Sequence, residues 1–331
     1  MKEILLHLFE HRTLTKNQAQ EILKNIALGK YNSAQIAAFM TVYLMRSITV
    51  EELEGFRDAM LDLCIALDLS HYNPIDLCGT GGDGKSTFNI STLASFVVAG
   101  AGQAVAKHGN YGVSSVCGSS NILEHFGIKF TNDKNLLEKQ LEKANICILH
   151  APLFHPAMKT VAPIRKELGV KTFFNMLGPM VNPAFPQNQM VGVFNLELAR
   201  LYAYLYQKTN KNFSIIHSLD GYDEISLTAP CKIYTRNQEQ ILSAEIFGEG
   251  ILENEILSGN TIEDSAKIFI NVLENKASQA QKNVVLANAA MALHTAQPQK
   301  TLQECLYIAK ESLESGKALQ SFKRLQEVSS V

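Results

Sequence analysis

The stretch Gly79-Thr80-Gly81-Gly82-Asp83-Gly84-Lys85-Ser86-Thr87-Phe88-Asn89-Ile90-Ser91-Thr92 decides the fold class. It stands between residues 75–77, which are typical of the end of a buried strand, and an apolar run typical of a helix, residues 93–101. Glycines let backbone N–H groups approach a phosphate, and a helix start adds unpaired donors and partial positive charge. An ordinary glycine turn does not need so many polar side chains. The stretch therefore predicts a strand–loop–helix unit that binds phosphate or pyrophosphate.

The same loop also fits the spacing of an ATP-binding P-loop, from Gly79 to Ser86. Asp83 weighs against that interpretation, because it would place a carboxylate where the loop should wrap phosphate oxygens. Asp220 is a weak candidate for the second, metal-ordering aspartate of such an ATPase. An aspartate beside a phosphate fits better where it orders Mg²⁺, water or sugar hydroxyls. ATP hydrolysis remains a weak alternative.

Composition bounds the class of protein. The 331 residues are 46% apolar and 19% charged, which suits a globular protein of about two domains. A net charge of −2 gives no electrostatic reason to expect nucleic acid. The six scattered cysteines form no Cys-x-x-Cys pair, which favours neither a zinc site nor a disulfide framework and suits a reducing cytosol. With no signal peptide or membrane-length apolar run, we predict a cytoplasmic protein without membrane or nucleic-acid partners.

Helical spacing dominates residues 1–68. Three capping-box pairs mark helix starts there: Thr15 with Gln18, Asn32 with Gln35, and Thr49 with Glu52. From residue 73, short β-type runs alternate with helices, which predicts a parallel or mixed sheet flanked by helices. The predicted strands are 75–77, 104–107, 146–149, 190–194 and 213–217, and the helices between them are about 92–101, 119–126, 134–143 and 196–208. Residues 225–247 contain further strand-like runs, and the chain after about residue 261 reads as helical, its last helix starting at Thr301 and Glu304.

Three further polar segments follow predicted strands. One runs from Lys107-His108-Gly109-Asn110 through Ser115 and on to residues 117–121, one is residues 150–156 with Arg165 beyond it, and one is residues 220–224. Because ligands bind beyond the carboxyl ends of strands in an open α/β sheet, we expect them to share a crevice with the glycine loop. Lys107 can neutralise a phosphate, Arg165 can pair with a carboxylate, and Asp223-Glu224 can hold Mg²⁺.

No nucleophile–base pair emerges from the sequence. Ser91 lacks an apparent base, and the cysteines lack an activating context. The combination of a phosphate loop, a metal pair, a lysine and an arginine favours transfer chemistry driven by positioning and electrostatics.

At these residues the chain resembles the anthranilate phosphoribosyltransferase family. The likeness covers essentially the whole chain. The matching motifs are Gly79-Thr80-Gly81-Gly82-Asp83-Gly84, Thr87-Phe88-Asn89-Ile90-Ser91-Thr92, Lys107-His108-Gly109-Asn110, and Phe173-Phe174-Asn175-Met176-Leu177-Gly178-Pro179 with Asn182-Pro183. His155, Arg165 and Asp223-Glu224 fall in register with them.

The resemblance implies a small helical domain docked on a larger α/β domain. The helical domain would comprise residues 1–68 with an insertion near 162–183, and the α/β domain residues 73–161 and 184–331. Members are typically homodimers joined through the helical domain. They transfer the phosphoribosyl group of phosphoribosyl pyrophosphate to anthranilate, release pyrophosphate and serve tryptophan biosynthesis, with Mg²⁺.

The resemblance also implies a set of site residues by motif position. The phosphoribosyl donor would be held by Gly79, Gly82, Asp83, Thr87, Asn89, Ile90, Ser91, Thr92, Lys107 and Ser119. Anthranilate would be bound by Gly79, His108, Asn110, His155 and Arg165, the last facing its carboxylate. Mg²⁺ would be held by Ser91, Asp223 and Glu224. No side chain is assigned as acid or base, because the aromatic amine is already a free base at neutral pH.

Two departures from the family pattern stand out. Tyr111 occupies a position where the family usually has arginine, and Asn121 one where it usually has aspartate. The first removes a positive charge and the second a negative one, so the local charge balance is kept.

Two rivals remain at this point. A pyrimidine nucleoside phosphorylase would share the architecture and a glycine-rich phosphate loop, without evident need for the Asp223-Glu224 pair. A related protein that binds nucleic acid is disfavoured by the acidic balance.

Overall fold

The computed structural model describes residues 1–112 and 117–330, which divide into two units. Unit 1 comprises Met1–Leu67 and Ala151–Pro183, and unit 2 comprises Asp68–His150 and Ala184–Val331. Within the described residues no helix is long and apolar enough to cross a membrane.

The helices and strands are numbered here in chain order. The helices are α1 (Lys2–Phe9), α2 (Lys16–Ala27), α3 (Ser33–Met45), α4 (Val50–Asp62), α5 (Ile90–Gly100), α6 (Ser119–His125), α7 (Lys134–Ala144), α8 (Ala151–Phe154), α9 (Met158–Leu168), α10 (Phe174–Leu177), α11 (Leu196–Gln207), α12 (Ile262–Leu273), α13 (Gln279–Ala296), α14 (Leu302–Glu314) and α15 (Lys317–Ser329). The strands are β1 (Ile75–Gly79), β2 (Val105–Gly109), β3 (Ile146–His150), β4 (Asn188–Gly192), β5 (Asn212–Ser218), β6 (Cys231–Thr235) and β7 (Glu239–Leu242).

Unit 1 is a helical bundle whose helix starts follow the predicted signals. Thr15, Asn32 and Thr49 each accept a hydrogen bond from the backbone three residues on, and the reciprocal side-chain bonds are present. The predicted capping boxes are therefore confirmed. An aromatic cluster fills the bundle, in which Phe56 and Phe173 stack with ring centroids 4.5 Å apart.

The second segment of unit 1 begins earlier in the chain than the sequence suggested. The insertion was expected near residue 162, whereas the structure places the chain from Ala151 onward in unit 1. Long-range contacts explain the difference: Ile65 N donates to Phe154 O at 2.8 Å, and Thr160 Oγ1 donates to Ala27 O at 3.3 Å. Phe154 is buried within that unit.

Unit 2 is built on a mixed sheet with the strand order β3-β2-β1-β4-β5-β6-β7. The first five strands are parallel, and β6 and β7 join as antiparallel strands. The prediction of a parallel or mixed sheet with helices is confirmed. Of the strand-like runs expected over 225–247, two become β6 and β7, while residues 225–227 precede β6 as an irregular segment.

The C-terminal helices complete the core of unit 2. Predicted helix α14 does start after Thr301, whose side chain accepts from Glu304 N. A further helix follows it, because Gly316 adopts φ +77° and turns the chain into α15. α5 is buried on nearly all sides, in keeping with its apolar sequence, and α13 packs against it.

Candidate active site

The order of the strands places a crevice at the carboxyl ends of β1 and β4. β2 lies on one side of β1 and β4 on the other, so the connections after β1 and after β4 lead away in opposite directions. In open α/β sheets this switch point is where ligands bind. The glycine loop leaves β1 there, with Thr80 N donating to Gly192 O at 2.9 Å.

The segment carrying Asp223 is pressed directly against both strand ends. A Cβ atom at Gly79 would lie 2.3 Å from Asp223 Oδ2, and one at Gly192 would lie 1.5 Å from Asp223 O. Any side chain at either position would therefore displace Asp223. Glycine at the last positions of β1 and β4 leaves the space that Asp223 occupies.

Both members of the acid pair accept hydrogen bonds from the glycine-loop region. Gly81 N donates to Asp223 Oδ2 at 2.6 Å, and Ser91 N donates to Glu224 Oε1 at 3.2 Å. Both acids are buried. Burial raises the pKa of Asp223, and the charges of Glu224 and Asp83 raise it further. Burial also raises the pKa of Glu224, against which the charge of Lys107 and bonds from Ser91 act. Buried acids held this close favour a cation beside them.

The start of α5 meets the acid pair through its backbone, at Ser91 N. Asn89 precedes the helix, and its Nδ2 donates to Cys117 O at 2.9 Å instead of capping α5 within the described part of the chain. Ile90 N donates to Phe88 O at 2.7 Å, while the Ile90 and Thr92 side chains are buried in the core. Ile90 and Thr92 can therefore reach a ligand in the crevice only through backbone groups at the helix N-terminus.

The glycine loop itself needs glycine for its conformation. Gly82 adopts φ +79°, in the left-handed region. Asp83 Oδ1 accepts from Lys85 N at 3.0 Å, a turn that fixes its carboxylate. Thr87 pairs as an isolated bridge with Leu257, so the loop is supported from the segment before α12. Lys85, the lysine of the apparent P-loop, donates to Glu253 Oε1 at 3.0 Å.

Lys107 lies beneath the site and not on its surface. It is 2% exposed, and its Nζ donates to Leu77 O at 2.6 Å. Burial lowers the pKa of its ammonium, and the charges of Cys78, Asp76 and Glu224 act in the opposite direction. Lys107 and Glu224 therefore influence each other: the charge of Glu224 acts to raise the pKa of Lys107, and the charge of Lys107 acts to lower the pKa of Glu224. The neighbouring His108 is buried, and its backbone N–H donates to Asp76 Oδ1 at 3.0 Å.

The chain between β2 and α6 brings Asn110 and Ser119 together. Asn110 O accepts from Ser119 Oγ at 3.2 Å and from Ser120 N at 3.1 Å. A Cβ at Gly109 would lie 2.5 Å from Ser119 Oγ, so that serine packs on the end of β2. Ser114 and Ser115, in the segment singled out from the sequence, lie outside the described residues.

His155 and Arg165 belong to unit 1. His155 is buried after α8. Arg165, on α9, donates from Nη2 to Asn175 Oδ1 at 3.0 Å and lies 5.5 Å from the centre of the Phe174 ring. Burial lowers the pKa of its guanidinium, and among the described residues no carboxylate lies within ion-pair distance of it. A half-buried arginine of this kind is suited to an anionic ligand.

Family models match both parts of the chain. Residues 71–319 match the model described as Glycosyl transferase family, a/b domain, and residues 2–64 match Glycosyl transferase family, helical bundle domain. An anthranilate phosphoribosyltransferase of Christiangramia forsetii is 64% identical over 330 residues, covering 99% of each chain. The chain belongs to the anthranilate phosphoribosyltransferase family.

Solved structures of anthranilate phosphoribosyltransferases have the same fold. The enzyme from Thermus thermophilus superposes with a TM-score of 0.91 at 28% identity and covers 99% of both chains. The Saccharomyces cerevisiae enzyme, in complex with PRPP and Mg, also gives a TM-score of 0.91, at 26% identity, covering 100% of this chain and 99% of that one.

For this anthranilate phosphoribosyltransferase family member, the sequence interpretation assigned no role to two residues that the structure places at the crevice, Asp76 and Thr80. Asp76 is fully buried in β1 and holds the backbone of β2. Thr80 Oγ1 is buried without a hydrogen-bond partner among the described residues, which suits a ligand atom. Asp76 carries no signal of its own in the sequence, because no local pattern indicates that an acid within the predicted strand 75–77 holds the backbone of a neighbouring strand.

The residues of unit 2 fit a magnesium ion. Within the described residues no three His, Cys, Asp or Glu side chains form a metal cluster. Two buried carboxylates and the adjacent Ser91 provide fewer ligands than a closed cage, as Mg²⁺ prefers when substrate phosphates complete its coordination. Burial first, and then the charges of Glu224 and Asp83, raise the pKa of Asp223, and a cation bound beside it would act in the opposite direction.

Proposed function

We propose that this protein transfers the phosphoribosyl group of phosphoribosyl pyrophosphate to the amine of anthranilate. The products are N-(5'-phosphoribosyl)anthranilate and pyrophosphate, and the step belongs to tryptophan biosynthesis. The observation that carries the proposal is the buried Asp223-Glu224 pair, held by N–H groups of the phosphate loop and of α5. An acid pair that is hydrogen-bonded to an anion-binding loop suits a ligand that carries phosphates together with a bound cation.

The donor is bound mainly by backbone groups in this proposal. The glycine loop and the first turn of α5 offer N–H groups to the pyrophosphate and the 5'-phosphate. Asp83 accepts hydrogen bonds from ribose hydroxyls or bound water, and Lys107 offsets negative charge from below. The proposed donor-binding residues are Gly79, Gly82, Asp83, Thr87, Asn89, Ile90, Ser91, Thr92, Lys107 and Ser119.

Ser91, Asp223 and Glu224 would hold Mg²⁺ in this proposal. A bound Mg²⁺ supplies positive charge to the pyrophosphate group. The protein's own part is to fix the two carboxylates: Gly79 and Gly192 leave room for Asp223, and Gly81 N and Ser91 N orient the oxygens. Burial keeps water from competing for that charge.

Anthranilate would be bound by Gly79, His108, Asn110, His155 and Arg165. Arg165 is pre-oriented by Asn175 and Phe174 and has no competing carboxylate among the described residues, so it suits the anthranilate carboxylate. The aromatic amine attacks the anomeric carbon as its free base, so the chain need not supply a strong base. Rate enhancement then comes from position and electrostatics.

The decisive experiment follows anthranilate fluorescence with purified protein, phosphoribosyl pyrophosphate and Mg²⁺. We expect anthranilate to be consumed, consumption to stop with a chelator, and Mg²⁺ to restore it. Glu224→Gln should lower the rate at fixed Mg²⁺, whereas the matched control Glu327→Gln, on α15 away from the acid pair, should not. Phosphorolysis of a pyrimidine nucleoside with anthranilate left unchanged would overturn the proposal in favour of the phosphorylase.

We also propose a homodimer joined through the helical unit and a cytoplasmic location. Unit 1 exposes apolar side chains on α1 and α3, among them Phe9 and Met45. Four cysteines are buried as free thiols, as suits a reducing compartment: Cys117, Cys147, Cys231 and Cys305.

A further inference from the structure

Asn121, in the first turn of α6, joins two distant points of the backbone. Its Oδ1 accepts from Gly112 N at 2.9 Å and from Gly118 N at 3.0 Å. These two N–H groups flank residues 113–116. One side-chain oxygen therefore fixes both the chain leaving β2 and the chain entering α6.

The backbone on the two sides is in close contact at this point. A Cβ at Gly118 would lie only 2.1 Å from Gly112 N. The Asn121 bonds act alongside a second connection, in which Asn110 O accepts from Ser119 Oγ and Ser120 N. Two sets of hydrogen bonds, one to Asn121 Oδ1 and one to Asn110 O, thus join the end of β2 to the start of α6.

We propose that Asn121 is a positioning residue for the donor site. This inference rests on the proposed function, in which Ser119 binds the phosphoribosyl donor and Asn110 lines the anthranilate path. By holding Gly112 and Gly118, the Asn121 side chain fixes the spacing between Asn110 and Ser119 before substrate arrives. Preorganised groups bind without a further ordering cost, so the effect falls on substrate affinity.

The amide of Asn121 holds Gly112 and Gly118 without adding a charge. An aspartate would accept the same two N–H groups but would place a carboxylate two residues from Ser119. The nearest charged group described on α6 is Glu124, whose Oε1 accepts from the Tyr111 hydroxyl at 3.4 Å. Tyr111 is uncharged and cannot balance a second acid. A neutral acceptor at position 121 therefore suits a loop that receives phosphate.

Two variants separate geometry from charge. Asn121→Ala removes the acceptor of two backbone N–H groups, and we expect the KM for phosphoribosyl pyrophosphate to rise about tenfold or more, with a smaller change in kcat. Asn121→Asp keeps the acceptor, and we expect a KM increase of about threefold at low salt that disappears at high ionic strength, because salt screens the added charge. Asn135→Ala, an exposed asparagine in the first turn of α7, is the matched control and should leave the KM unchanged.

The outcomes decide between the inference and the function on which it rests. Wild-type protein that does not consume anthranilate overturns both. Active wild type with an unchanged donor KM in Asn121→Ala overturns the role of Asn121 alone. If Asn121→Ala does not fold, Asn121→Asp still decides: a KM increase that persists at high salt and matches a fall in kcat would show a merely structural role.

Discussion

At the scale of single residues, Gly192 has the least room for change. The Asp223 carbonyl occupies the space that a β-carbon would take, 1.5 Å from its expected position. We expect Gly192→Ala to abolish most activity and to lower the free energy of unfolding by about 1–3 kcal/mol, as in overpacked cores. Activity assays and denaturant unfolding would test this. Gly250→Ala is the control, because a Cβ there meets only an ordinary contact at 3.8 Å.

A substitution at Lys107 tests the proposal that this buried side chain contributes to donor binding. Lys107→Met keeps the length of the side chain but removes the charge that faces Glu224. We expect the KM for phosphoribosyl pyrophosphate to rise by about tenfold or more and the KM for anthranilate to change less. Steady-state kinetics with each substrate varied in turn would measure both. The opposite ranking of the two constants would contradict the role; Lys139→Met, on an exposed position of α7, should change neither.

Arg165 is the corresponding test for the acceptor substrate. Arg165→Ala removes a half-buried guanidinium held by Asn175. We expect the KM for anthranilate to rise roughly 10- to 100-fold, the range for a hydrogen bond to a charged group, with little effect on the donor KM. An unchanged anthranilate KM would count against the carboxylate contact. Lys166→Ala, the exposed neighbouring cation, is the control.

At the scale of secondary-structure elements, Glu52 ties α4 to its neighbours in unit 1. Its carboxylate accepts from Leu14 N and Thr49 N, each at about 3 Å, and from both Arg46 Nη atoms. Burial raises the pKa of Glu52, but Arg46 and the backbone donors more than offset burial, so the pKa ends below its usual value. The contact between charged Glu52 and Arg46 therefore stabilises the fold.

We expect Glu52→Gln to lower the free energy of unfolding by about 3 kcal/mol at pH 7, because Arg46 loses its buried partner. A depressed carboxyl pKa stabilises the folded state above the unfolded pKa and is lost as pH falls through the folded value. The difference between wild type and variant should accordingly shrink below about pH 4. Denaturant titrations at several pH values would measure it. Glu51→Gln, exposed on the same helix, should show no comparable difference.

The sequence predicted those features that depend on residues close together in the chain, and it did not predict those that depend on distant ones. The capping boxes at Thr15, Asn32 and Thr49 involve residues three apart, and local reasoning predicted them correctly. The start of the second segment of unit 1 at Ala151 depends on bonds to residues such as Ile65, which no local pattern reveals. Local patterns also did not predict that Lys107 is buried, because a lysine at the end of a strand is expected to be exposed.

The site residues show the same limit. The residues themselves indicated the glycine loop and the acid pair, the resemblance assigned them to a phosphoribosyl donor and Mg²⁺, and the structure adds why glycine stands at Gly79 and Gly192. Asp76 and Asn121 act through backbone groups of other segments. Their roles became visible only with the geometry.

At the scale of the whole molecule, the apolar surface of unit 1 predicts self-association. Phe9 is 56% exposed and Met45 83% exposed. We expect the protein to have twice the 36.6 kDa mass of one chain by light scattering, and Phe9→Glu with Met45→Glu to yield monomers. Tyr307→Glu, at a residue of unit 2 that is 72% exposed, is the control and should stay dimeric. Monomeric wild type would contradict the proposed interface.

The bond from Gly81 to Asp223 has a consequence for the growing chain. It joins residues 142 positions apart, so the phosphate loop leaves the ribosome long before its acid partner exists. At ordinary synthesis rates of roughly 5–20 residues per second, that interval is roughly 7–28 seconds. During this time β1 also lacks its neighbour β4 until the chain reaches residue 192, and the central strand stays open on one side. A nascent chain therefore carries the loop without the acid pair, and the proposed site is complete only after the second half of the sheet is made.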